Sequence, residues 1–212
     1  MKKTIFVVFL FCTALVPIGA LATTYQVTAS DDYYSTRDWW SGGNYSENVT
    51  GTQEIRNTYW YDPGNGGHKD ELRLGFDLAS LAAVDADDIV SVSLFLNITS
   101  AYNNGPGIYA ANLSYGGTTR QVLETASGWT TFDFTDAFKT RLAAGDSTAS
   151  FSGNNNSPAK EYNGVGFVFT SMESGLPAYM EINTAPVPEP ATIFLFGAGL
   201  AGFVGGRFRK KK

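Results

Sequence analysis

Alternation of period two runs through the middle of this chain. Over residues 71–78, Leu72, Leu74, Phe76 and Leu78 fall on one side while Glu71, Arg73 and Asp77 fall on the other. Over residues 89–99, Val90, Val92, Leu94, Leu96 and Ile98 form an apolar row, and Ser91, Ser93, Asn97 and Thr99 point the opposite way. Both stretches read as half-buried strands. Shorter patterns predict strands at 25–29, 53–60, 107–115, 129–135, 165–170 and 178–183. Segments rich in Gly, Asn, Ser and Pro separate them, so the fold class expected is all-β: an antiparallel, jelly-roll-like β-sandwich. One helix is predicted over 136–144, with Thr135 or Asp136 as its N-cap and Gly145 closing it. Long loops are expected at 31–52, 61–70, 100–106 and 145–164.

The two ends break this pattern. Residues 1–22 carry Lys2 and Lys3, an apolar run from 4 to 16, and small residues in Ala20-Leu21-Ala22. That is the composition of an N-terminal signal peptide, which makes signal peptidase a partner. Cys12, the only cysteine, lies inside it. The exported protein then has no cysteine, which excludes disulfides and thiolate chemistry.

At the other end, Pro188, Glu189 and Pro190 precede an uncharged run over 191–206, and the last residues, 207–212, include Arg207, Arg209, Lys210, Lys211 and Lys212. As a helix the run is about 24 Å long, close to the roughly 30 Å of a hydrocarbon core. It reads as one C-terminal transmembrane helix whose basic end stays cytoplasmic, leaving everything before it outside. Gly197, Gly199 and Gly202 spell a G-x-G-x-x-G, but neither a preceding strand nor a following acidic residue accompanies them.

This order of triplet, glycine-rich apolar span and basic end resembles the PEP-CTERM sorting signal of Gram-negative bacteria that make exopolysaccharide. The resemblance implies an exosortase-type membrane protease-transpeptidase as partner, transient anchoring in the inner membrane, and a final place at the cell surface or in the extracellular matrix. A plain C-terminal anchor is the alternative. The expected domains are 1–22 (signal peptide), 23–186 (extracellular sandwich) and 187–212 (sorting tail).

Charge narrows the partners. Between the two targeting segments stand 8 Lys and Arg against 19 Asp and Glu. Such an acidic body argues against nucleic acid and suits neutral partners or cations.

A second resemblance covers the body. The stretches ELRLGFDLASL (71–81), DDIVSVSLFLNI (87–98) and GWTTFDFT (128–135), with Asp31-Asp32-Tyr33-Tyr34 before them, are similar to the DNRLRE type of extracellular β-sandwich. That likeness implies carbohydrate binding.

From the residues themselves, the candidate glycan-binding rings are Tyr34, Trp39, Trp40, Tyr45, Trp60 and Tyr61, set in sequence that reads as loop. Flat rings stack on the C–H faces of sugars while neighbouring polar groups take the hydroxyls; the competing reading is that these rings fill the interior. Asp31 and Asp32, with Asp85, Asp87 and Asp88, are the candidate ligands for a structural calcium, since calcium takes oxygen donors from paired aspartates and loop carbonyls; solvated acidic turns are the alternative. His68 is the only histidine, so metal sites that need several imidazoles are excluded. No G-x-S-x-G elbow accompanies it. The function expected is non-enzymatic binding of extracellular polysaccharide by an exported protein. The alternatives are a structural or adhesive surface protein without a glycan ligand and, behind it, a polysaccharide lyase or glycoside hydrolase.

Overall fold

Two long strands organise the body: β5 (Gly66–Asp77) with 12 residues and β6 (Ile89–Asn103) with 15. The computed structural model describes residues 22–40, 42–103, 110–156 and 163–186, and within them Thr24–Thr184 form one compact unit. The other strands are β1 (Thr24–Thr28), β2 (Asp31–Trp40), β3 (Gly43–Val49), β4 (Glu54–Asp62), β7 (Ala110–Tyr115), β8 (Thr118–Val122), β9 (Gly128–Asp133), β10 (Thr148–Asn156), β11 (Asn163–Thr170) and β12 (Tyr179–Thr184). A helix, α1 (Thr135–Ala143), follows β9.

All pairings are antiparallel and link the twelve strands in the order β1-β12-β6-β11-β4-β5-β10-β7-β8, with β3 on β2, β2 on β5 and β9 on β6. The all-β, antiparallel class expected from the alternation is therefore the one observed. The sheet doubles over because of β5. Along one edge, β2 pairs with β5 from Gly66 to Gly75. The other edge is divided, with β4 on Gly66–Asp70 and β10 on 73–77. Past residue 70 these two partners separate into opposite layers. Asn57 of β4, fully buried, spans the gap, donating from Nδ2 to Asn112 O and to Asn155 Oδ1, both at 3.1 Å. A Cβ on Gly153 would lie 2.1 Å from Asn57 Oδ1, so only glycine fits beneath that amide.

The interior is lined as the alternation predicts by Leu72, Leu74, Phe76 and Leu78, and by Val92, Leu94, Leu96 and Ile98. Phe76 and Phe134 meet Phe151 edge-on, at 5.6 and 5.1 Å between centroids. Val90 departs from its expected place. Ile89 is buried and Val90 is 61% exposed, because the register shifts opposite Asn183 and Thr184 and the extra residue of this bulge turns Val90 outward.

Other expectations also need correction. Residues 31–52, expected as a loop, form the hairpin of β2 and β3. Residues 66–70 extend β5 backwards, and 148–156 form β10 inside another expected loop. Thr118–Val122 was not predicted as a strand. Helix α1 starts one residue earlier than expected, so its N-cap is Phe134 and not Thr135 or Asp136; Asp133 Oδ1 accepts from Thr135 N (3.0 Å) and Oγ1 (2.6 Å) just before the first turn. Gly145, at φ 88°, closes it as expected.

Candidate functional site

Residues opposite one another across an antiparallel pair point to the same face. The register therefore assembles one surface from five strands. Thr36, Asp38 and Trp40 on β2 stand opposite Asp70, His68 and Gly66 on β5, and these stand opposite Thr58, Trp60 and Asp62 on β4. Beyond β4, β11 places Gly166 and Gly164 against Thr58 and Trp60, and β6 places Tyr102 against Gly166. Tyr102 reaches this face because of a second bulge: Val168 pairs with Ser100 but Phe169 pairs with Ile98, so Thr99 is the extra residue and the inward parity of β6 reverses after it.

At the centre His68 is held between two carboxylates. Its Nδ1 lies 2.5 Å from Asp38 Oδ1 and its Nε2 lies 2.9 Å from Asp70 Oδ2. Asp70 is buried and also accepts from Thr58 Oγ1 at 2.8 Å. The hydrogen bond to Asp70 pushes the imidazole pKa up to about 9; burial opposes this and Asp38 reinforces it. Asp70 moves the other way: burial works to raise it, but His68, Thr58 and Thr36 together hold it below its ordinary value. At neutral pH the ring is an imidazolium with both N–H groups committed, so it has no lone pair with which to take a proton.

Around this charged centre lies an aromatic rim. Trp40 and Trp60 are 42% and 38% exposed, and their rings meet at 5.4 Å with a 43° tilt. They reach towards each other across β5, Trp40 from opposite Gly66 and Trp60 from opposite His68. Tyr45 of β3, 51% exposed, stands opposite Asp38. On the far side of Trp60 two buried glycines let the neighbouring groups close in: a Cβ on Gly164 would lie 3.4 Å from the Tyr102 ring and 3.5 Å from Trp60, and one on Gly166 would be 2.8 Å from Thr58 Cα. Burial raises the Tyr102 phenol.

The other predicted rings are placed differently. Tyr34 is buried, with the Arg56 guanidinium 6.0 Å over its ring, so it supports the face from below. Trp39 and Tyr61 lie on the opposite side. Trp39 packs on Tyr59 at 6.0 Å and covers Gly67, where a Cβ would be 2.5 Å from the indole, and Tyr61 packs half-buried against the core. None of these rings sits in a loop; all six are on β2, β3 or β4.

The predicted calcium ligands do not converge. Asp32 is buried and accepts from Met172 N at 2.8 Å, with its pKa raised chiefly by burial. Asp85 Oδ1 accepts from Asp87 N at 2.9 Å and so closes its own turn, Ala86–Asp88. Asp31 is exposed opposite Gly75. Among the described residues no three acidic, histidine or cysteine side chains form a group that could hold a metal ion.

The sequence reading does not single out Asp38, Asp70 or Thr58. His68 and Asp70 are two apart, the spacing that shares a strand face, which is a signal the sequence carries. Asp38 and Tyr102 join only through the β2 register and the β6 bulge.

This all-β antiparallel body is joined to a recognisable tail. Residues 186–210 match the PEP-CTERM protein-sorting motif, so the chain carries the signal of a secreted protein that exosortase-type machinery processes and sorts. The triplet Pro188, Glu189, Pro190 and the expected membrane helix over 191–206 lie outside the described residues, as does the signal peptide up to residue 21. Among the described residues no helix is long and apolar enough to cross a membrane. No curated protein matches the chain.

Proposed function

We propose that the protein is a non-enzymatic binder of extracellular polysaccharide, freed of its leader by signal peptidase and delivered to the cell surface or matrix by its sorting tail. The observation that carries this reading is the exposed Trp40–Trp60 pair, fixed on β2 and β4, the strands that pair with β5 on either side, beside Asp38 and His68. Two tilted indoles offer apolar faces to the C–H surfaces of sugar rings, and the Asp38 carboxylate next to them can accept from hydroxyl groups. Strands hold this arrangement with little freedom left to lose on binding. The double clamp on His68 favours binding over catalysis, since a lyase base needs a free nitrogen.

A glycan array probed with the full-length protein and with Trp40→Ala/Trp60→Ala tests the reading. Binding by the wild type that falls about tenfold or more in the double variant supports it. Binding that is absent, or that survives the double change, leaves a structural or adhesive protein without a glycan ligand.

A further inference from the structure

The charges around the tryptophan pair are one-sided. Asp38 is the cross-strand partner of His68, which is in turn the partner of Trp60. Asp62 stands two residues beyond Trp60 on the same face, and its oxygens accept from Gly64 N at 2.8 Å and Asn65 Nδ2 at 2.6 Å. Glu47 stands opposite Thr36 on β3. Asp70 completes the group beneath His68. Two cations share the face. The His68 charge is offset by the two carboxylates that grip it, and Arg56 lies four residues down β4 from Trp60, roughly 13 Å away along the strand, over Tyr34. No free cation therefore stands next to the rings among the described residues.

We propose that this face selects non-anionic polysaccharide and rejects uronate-bearing or sulfated chains, with Asp38 as the specificity-determining group. The proposal rests on the glycan-binding reading above and adds the ligand class. A sugar stacked across the Trp40–Trp60 pair reaches to the β2 side, where Asp38 stands two residues from Trp40 on the same face with its Oδ1 fixed by His68 Nδ1. A hydroxyl donates to that carboxylate; another carboxylate on the sugar can only be repelled by it, because an ionised carboxylate accepts and does not donate. Repulsion between like charges at a partly shielded surface is strong at short range and is screened by salt. The same acidic rim that makes a poor seat for polyuronate costs a neutral chain nothing in charge repulsion.

The test uses the full-length protein in a sugar-free detergent with size-matched neutral glucan, polygalacturonate and chitosan. Neutral glucan or chitosan should bind roughly tenfold or more tightly than polygalacturonate at low ionic strength, and salt should narrow the gap. Asp38→Asn should raise polygalacturonate binding several-fold while weakening neutral glucan. Glu47→Gln, which leaves the His68 clamp intact, should move polygalacturonate in the same direction by less. Polygalacturonate binding as tight as glucan, or a ratio unmoved by both variants, overturns the selectivity while leaving glycan binding in place. If none of the three polymers binds, both readings fall.

Discussion

Leu72, Leu74 and Phe76 share a strand and a face with Gly66, His68 and Asp70, yet the first three are sealed in the core and His68 and Gly66 reach solvent. The two halves of β5 differ in their company. The apolar half pairs with β10, and the helix end and aromatic rings of the core close over it. The polar half pairs with β4, which has turned into the other layer, so the face it shares with Thr58 and Trp60 opens outward. Alternation fixes which side a residue faces, and strand connectivity decides whether that side is inside. The proposed binding surface needs neither a loop nor a cleft: it lies at the point where one continuous face leaves the core.

Breaking the apolar half should cost most. Phe76→Ala removes a fully buried ring in contact with Phe151 and should lower unfolding free energy by about 3–5 kcal/mol in denaturant titration. Asp70→Ala should follow at about 3 kcal/mol, because it strips the buried acceptor from His68 and Thr58.

The polar half should also make stability depend on pH in a way the apolar half cannot. The folded pKa of His68, about 9, lies above the ordinary value near 6.5. Its stabilisation is complete below pH 6.5 or so and is lost as pH rises through about 9. Asp70, lowered on folding, stabilises above its ordinary range and loses this in acid. A plateau is expected between roughly pH 4 and 6.5, with a fall of about 2 kcal/mol by pH 9.5, allowing for solvent around a ring that is 33% exposed. In His68→Gln the alkaline fall should flatten; an unchanged profile there would mean that the clamp carries no linkage.

The smallest effect on folding should come from the rim. Trp40→Ala and Trp60→Ala should each cost about 1 kcal/mol, well below Phe76→Ala, in thermal or chemical unfolding, since both side chains stay partly exposed. If either destabilises like Phe76→Ala, the indoles belong to the packing and the comparison between the two halves fails.

Much of the apolar half was legible. The rows 72–78 and 92–98 need only the period of a strand, and the buried sets agree with them. Val90 and Tyr102 were not, because each follows or occupies a bulge, and one extra residue inverts parity without a mark in the pattern. The hairpin of β2 and β3 was hidden by its composition: Asp31–Trp40 carries charge and hydroxyl on both faces, so it looks like a loop until its ten pairings with β5 are drawn. For the site, the rings were visible as a class, but separating Trp40 from its neighbour Trp39 required knowing that Gly67 makes room for the latter.

One pairing sets the order in which this molecule is completed. Thr24 of β1 bonds to Asn183 of β12 at 2.6 Å, a partner 159 positions further along the chain. Closing a loop of that length forfeits more chain entropy than any local hairpin, and the cost is met only when the rest of the fold already holds the two ends near each other. The first strand is therefore among the last to settle. During export it is expected to stay unpaired on that edge until the segment just before the sorting tail has arrived. Circular permutation that joins the ends at β1 and β12 and opens the β2–β3 turn should turn this slowest contact into the fastest.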